Sequence, residues 1–255
     1  MKNIISRGIS KALGRGRPQQ PEKPKADPPG INSIQMPREQ SEILSRCLSI
    51  DLEVDPKEAR IFAFAAVPDG DGEGIVHRTG DPRAALAKLD LLCAGFAHVI
   101  GHNILRHDLP HLMAVSPRFA KLADGPIDTL WLNPLAFPRN PYHHLVKHYR
   151  DGRLQSGHVN DPEFDARLVF EVLRNQIDAF VSLNTLSPET MMAYHWLCCR
   201  GPGSDGFDRL FCDVRGAPIP TEAQAHGTIR TLLTGAACGA QVDAVLERLA
   251  ETGLG

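Results

Sequence analysis

The chain has no apolar run approaching the roughly 18–20 residues of a membrane-spanning helix, which excludes a helical span. It has no GxxxxGK[ST] segment to cradle a nucleotide phosphate, so an ATP-driven motor is excluded for these residues alone. Cysteine is present without a framework: Cys47, Cys93, Cys198, Cys199, Cys212 and Cys238 form no CxxC pair and no regular spacing. Such cysteines read as reduced, mostly buried thiols of a cytosolic protein. Cys198, Cys199 and Cys212 make a poor zinc set on this reading, because adjacent cysteines fit a tetrahedral centre badly. Charge of one sign is also lacking. A formal net charge of −2 neither requires nor forbids a polyanionic partner, since a basic cleft can sit inside a neutral total.

What is there divides into three stretches. Residues 1–44 open with Lys2, Arg7, Lys11, Arg15 and Arg17 before any acid, and continue through Pro18, Pro21, Pro24, Pro28 and Pro29. Proline at that density with few apolar residues predicts a disordered basic arm. Residues 45–183, of ordinary composition, alternate in period and predict an α/β domain. Residues 184–255 predict helices over 188–199, 221–234 and 241–250, broken by Gly201-Pro202-Gly203 and Gly216-Ala217-Pro218, as a helical extension or linker.

Within 45–183, residues 46–54 and 60–67 read as strands. The Pro68–Gly74 turn separates them from a third at 75–77, and the three are expected to pair antiparallel. Asp81-Pro82 starts a helix through Leu86, Leu89 and Cys93. A buried strand is expected at 97–101, a helix through Leu109 and Leu112, and a strand at 126–131. Helices are expected near 141–150 and over 162–180, the latter capped by Asp161 ahead of Pro162. Strands followed by alternating helices and strands imply a mixed sheet covered by helices.

The chemistry lies in the acids. Asp51 and Glu53 stand two apart in Cys47-Leu48-Ser49-Ile50-Asp51-Leu52-Glu53-Val54, so on a strand both point to one face. Two carboxylates in a half-buried place repel unless a cation offsets them, which points to a divalent metal. The plainer alternative is one buried turn residue and one solvated acid. Asp108 follows the expected strand at 97–101 in Gly101-His102-Asn103-Ile104-Leu105-Arg106-His107-Asp108, and Asp165 falls in the first turns of the long helix.

The order Asp-x-Glu, then Gly-His-Asn-x-x-x-x-Asp-x-Pro-x-Leu, then Asp-Ala-Arg leading a helix resembles the three motifs of the DEDD (DnaQ-like) 3′-5′ exonuclease superfamily. The Asp128-Thr129-Leu130 segment is similar to one found between the second and third motifs. The segments Leu132–Pro138 and His143–Lys147 resemble the exonuclease-like region ahead of the helicase core in some bacterial RecQ-type helicases. The likeness covers about residues 45–180. It implies an RNase H-like fold whose first three strands are antiparallel, and hydrolysis at 3′ ends of DNA, with RNA the other candidate, in repair or recombination.

The resemblance also implies two Mg²⁺ or Mn²⁺ ions about 3.5–4 Å apart. Asp51 would bridge them, Glu53 and Asp165 would hold the one that activates water, and Asp108 would serve the other mainly through water. Single-stranded or frayed ends would be the substrate, a helicase in cis or trans a partner, and no membrane is involved.

One position departs from the family's pattern. Active members carry a histidine five residues before the last Asp, or a tyrosine four before it; here those positions are Asn160 and Asp161. Asn160 cannot take a proton from water. His158, two positions early, is the replacement candidate. If neither serves, the domain is a weak or inactive nucleic-acid-binding module.

Backbone phosphates would meet Arg106, Arg139, Lys147, His148 and Arg150, with Asn103 and Phe62 or Phe64 close to the terminal nucleotide; ordinary surface charge explains the basic residues almost as well. A rival set, His98, His102, His107 and His111, would instead make a zinc hydrolase, although His98 and His102 flank a strand end and only His107 and His111 make an i, i+4 pair on or near a helix.

Overall fold

The structure, a computed structural model, describes residues 38–140, 143, 145, 149–150, 153–154, 161–236 and 239–252. The arm expected over residues 1–44 lies outside this range as far as residue 37. Its last residues do not read as arm: helix α1 spans Arg38–Ser45, and Ile43 and Leu44 are buried.

A five-stranded mixed sheet follows. Strand β1 (Cys47–Asp55) pairs antiparallel with β2 (Arg60–Pro68), and β2 with β3 (Ile75–His77). Helix α2 (Arg83–Cys93) then crosses over, and β4 (His98–Gly101) returns parallel to β1. Helix α3 (Asp108–Val115) and a short 3-10 turn at Pro117–Ala123 lead to β5 (Ile127–Asp128), parallel to β4. The order across the sheet is β3-β2-β1-β4-β5, with the first three strands antiparallel as expected.

Two corrections concern the segment after β5. The strand expected over 126–131 stops at Asp128, because that side chain accepts the Leu130 N–H at 2.9 Å and opens helix α4 (Thr129–Ala136). The helix expected near 141–150 is contradicted at its end. Tyr149–Arg150 (β6) pairs antiparallel with Arg153–Leu154 (β7), and most of the remainder lies outside the described residues.

Strand alternation sorts the core into two layers. Leu48, Ile50 and Leu52 of β1, with Phe64 and Ala66 of β2, pack under α2 and α3. Cys47 of β1, Ala65 and Val67 of β2, Ile100 and Ile127 pack under the long helix α5 (Pro162–Leu186). That helix starts as expected, with Asp161 accepting the Glu163 N–H at 3.1 Å and proline in its first turn. It buries Ala166, Val169, Phe170, Leu173, Ile177 and Phe180 on one face, the 3.6-residue stripe of a helix lying on a sheet.

The residues after 183 are no linker. Helices α6 (Pro188–Cys198), α7 (Asp205–Arg215), α8 (Glu222–Leu232) and α9 (Val242–Thr252) follow. Sequence reading missed α7, which lies between the two Gly/Pro breaks. Its Phe207, Leu210, Phe211 and Val214 join the α5 layer, with Phe180 and Phe211 rings edge to face at 5.4 Å. Gly206 permits this approach: a Cβ there would lie 2.5 Å from Gly125 O and 2.8 Å from Pro126 O. Only α8 and α9, resting on Ala193 and Trp196 of α6, form a satellite cluster.

Candidate active site

Asp51 and Glu53 follow Cys47 and Ser49 in alternation, so they project from the α5 face of β1 at the end of the strand that is half open to solvent. Asp165 sits one turn into α5, on the buried stripe. The two elements cross so that one oxygen from each of Asp51, Glu53 and Asp165 lies within 4.8 Å of the others. Three carboxylates from 114 residues of separation meet because α5 lies on this face of the sheet.

Arginines fix the crossing. Arg78, just beyond β3, reaches Asp161 at 3.1 Å and Glu163 at 3.0 Å. Arg167 donates to Gly70 O at 3.0 Å and pairs with Glu163, while Arg174 pairs with Asp69. Together they tie the first half of α5 to β3 and to the β2–β3 turn, and Arg78 followed by Arg167 holds the Glu163 carboxyl below its ordinary range. Each pair is largely exposed and individually weak; the set positions the helix.

Asp108 stands beside the cluster rather than in it. Strand β4 ends opposite β1 before Leu52, which would leave the Leu52 N–H without a strand partner; Asp108 Oδ1 accepts it at 2.9 Å. That bond ties the second motif to the backbone between Asp51 and Glu53. His107 Nδ1 lies 3.6 Å from the same oxygen. Its imidazole is held above the ordinary histidine value by the Asp108 carboxylate first, against burial, with Glu53 adding to the effect.

The loop bearing Asp108 is organised by Asp128, which is fully buried at the end of β5. Its carboxylate accepts N–H groups from Asn103 at 2.9 Å and Leu105 at 3.1 Å, as well as from Leu130. Burial pushes the Asp128 carboxyl up and these bonds pull it back. Asn103 adopts φ of 75°, a left-handed conformation that asparagine tolerates and branched residues do not. Gly101 is needed at the strand end: a Cβ there would lie 2.8 Å from Ile104 Cβ and 3.0 Å from Ile50 O, the residue before Asp51.

Of the residues expected to meet nucleic acid, Asn103 and Arg106 lie on this loop and Arg139 is exposed in the turn after α4. Lys147, His148, His158 and Asn160 lie outside the described residues. Phe64 is fully buried and unavailable to a base, whereas Phe62, at the β2 bulge, is exposed. Sequence reading missed Trp131. It begins α4 half exposed, with the Arg106 guanidinium 5.2 Å above its ring, and the expected strand had concealed that exposure. Arg78, which ties α5 to β3, belongs to none of the motifs legible in the sequence.

The histidine set does not assemble. His98 Nδ1 meets Gly125 O at 3.0 Å and His102 Nδ1 meets Thr129 Oγ1 at 2.9 Å, while His107 and His111 touch ring to ring. Among the described residues the metal-capable groups are two: the acidic trio and a cluster of His195, Cys199 and Asp208. Comparisons with protein-family models, curated proteins and solved structures give no match.

Proposed function

We propose that the chain is a metal-dependent 3′-5′ exonuclease with an RNase H-like fold, acting on single-stranded or frayed DNA ends. The observation that carries this reading is the convergence of Asp51, Glu53 and Asp165 within 4.8 Å, with Asp108 tied to the backbone between the first two. The sheet order β3-β2-β1-β4-β5 supports it, since it carries the three motifs to one end of β1.

The donors fit hard divalent ions: all are carboxylate oxygens, on a half-open rim with room for water and phosphate oxygens. Mg²⁺ or Mn²⁺ held there would supply the charge that activates water and steadies the departing oxygen. Asp51, Glu53 and Asp165 would hold the ions directly. Asp108, whose Oδ1 accepts the Leu52 N–H, would hold water through its other oxygen. A protonated His107 beside it would favour approach of a phosphodiester. Arg106 and the Trp131 ring offer a charge and a stacking face for the strand, the combination that binds single strands without reading sequence.

The test is digestion of 5′-labelled single-stranded DNA, and of RNA of the same sequence, with Mg²⁺, Mn²⁺ or chelator. The proposal expects a metal-dependent ladder shortening from the 3′ end, with RNA degradation marking a broader substrate. Binding of either strand without any shortening would establish the module reading instead.

A further inference from the structure

A second constellation lies between α6 and α7, away from the acidic trio. His195 and Cys199 are four apart at the end of α6, and Asp208 and Cys212 are four apart on α7, so each pair shares a helix face. The docked helices turn these faces together. One donor atom from each of His195, Cys199 and Asp208 lies within 4.8 Å of the others. Cys212 Sγ lies 3.7 Å from Asp208 Oδ1 and 4.0 Å from His195 Nε2.

We propose that these four residues form a Zn²⁺-type site, with His195 Nε2, Cys199 Sγ, an Asp208 oxygen and Cys212 Sγ as donors. Tetrahedral bonds of about 2.0–2.3 Å separate neighbouring donors by about 3.3–3.8 Å. Cys212 makes 3.7 and 4.0 Å, and the 2.7 Å hydrogen bond between His195 Nε2 and Asp208 Oδ1 must open to admit the ion. Two thiols and an imidazole select zinc over the hard ions that suit the acidic trio. The His195 side chain is fully buried, whereas Cys199, Asp208 and Cys212 are half-buried, so the site has a protected floor and a side that an ion can enter. Adjacent cysteines are no obstacle, because only Cys199 of the Cys198-Cys199 pair is required.

Arg215 Nη1 lies 2.6 Å from His195 Nδ1, and a guanidinium only donates, so Nδ1 accepts and Nε2 carries the proton offered to Asp208 Oδ1 at 2.7 Å. A metal on Nε2 moves that proton to Nδ1. Arg215 then withdraws toward Pro218 O, to which it already donates at 3.0 Å. The Cys199 and Cys212 thiols lose their protons to solvent as they bind, so uptake releases about two protons and tightens as pH rises.

Such a centre would clamp α6 onto α7 and so fasten the α8–α9 cluster to the main core. The test uses the full chain purified without chelator, its metal content measured by mass spectrometry, followed by exchange into Co²⁺. The expected result is about one zinc per chain and a thiolate-to-cobalt absorption band that hydroxyl or carboxylate ligands cannot give. Asp208→Asn should weaken zinc retention, and Cys199→Ser with Cys212→Ser should abolish the band. If the double variant fails to fold, the wild-type cobalt spectrum decides alone. A wild-type protein that holds no zinc and shows no thiolate band would overturn the proposal, leaving Arg215, His195 and Asp208 as a hydrogen-bonded chain around one buried imidazole.

Discussion

The acidic trio and the α6–α7 cluster are built by opposite routes. The trio takes two donors from one strand and one from a helix 112 residues after Glu53, all oxygen, on a rim that solvent reaches. The cluster takes its donors from two consecutive helices and mixes nitrogen, sulfur and oxygen around a buried imidazole. An all-oxygen site suits ions that must share their shell with substrate, whereas a mixed nitrogen and sulfur site suits an ion that only holds helices together. Ligand chemistry, rather than the number of donors, separates the two.

Removing a donor from one site and reading both gives the largest expected contrast. Asp165→Ala should lower exonuclease rate by well over the roughly 10–100-fold that loss of an outer-shell partner costs. It should leave any cobalt–thiolate band unchanged. A parallel loss of both signals would show that Asp165 supports the fold at large and would break the comparison.

Phe211 sits between the regions, against Phe180 of α5 and the His195 ring. Phe211→Ala should destabilise the whole chain by about 3–5 kcal/mol, because it empties a fully buried site in the layer shared by α5 and α7. Urea unfolding followed by circular dichroism measures this. A loss below about 1 kcal/mol would mean that α7 is loosely applied rather than part of the core.

Trp131→Ala sharpens the account of the open site. Stacking on an aromatic ring is worth about 1–3 kcal/mol per base, so affinity for single-stranded DNA should fall by roughly 5- to 150-fold with little change in stability. Fluorescence anisotropy at fixed salt reads the change. Unaltered affinity would remove Trp131 from the strand's path.

The smallest effect concerns His98, whose imidazole is pushed below its ordinary value chiefly by burial, with Gly125 O opposing. The unfolded chain therefore takes up this proton first as pH falls. Stability from His98 is present above the ordinary histidine value of about 6.5 and is lost as pH drops through the lower folded value. Thermal midpoints should decline between about pH 7 and 5, and His98→Asn should flatten that decline. A steeper decline in the variant would contradict the sign.

Sequence exposed the open site because its cues are local. Asp51 and Glu53 share a strand face by period two, and the cap formed by Asp161 with Pro162 fixes the phase of α5 and so the inward aim of Asp165. The antiparallel start of the sheet was legible from the Pro68–Gly74 turn. The role of Asp128 was not, because its bonds to Asn103 and Leu105 span 25 and 23 residues and turn a strand-like run into a helix start. Nor was the α6–α7 cluster. Each of its i, i+4 pairs is ordinary on one helix, and only the packing of α7 on α6, with Phe211 against the His195 ring, brings the two pairs together.

The most direct test of the open site compares wild type with Asp51→Ala, both confirmed as folded, for Mn²⁺ binding by calorimetry and for shortening of 5′-labelled single-stranded DNA. The account predicts metal binding and a 3′-end ladder in the wild type, with loss of the ladder and weakened Mn²⁺ uptake in the variant. An Asp51→Ala protein that shortens DNA as fast as wild type would contradict it.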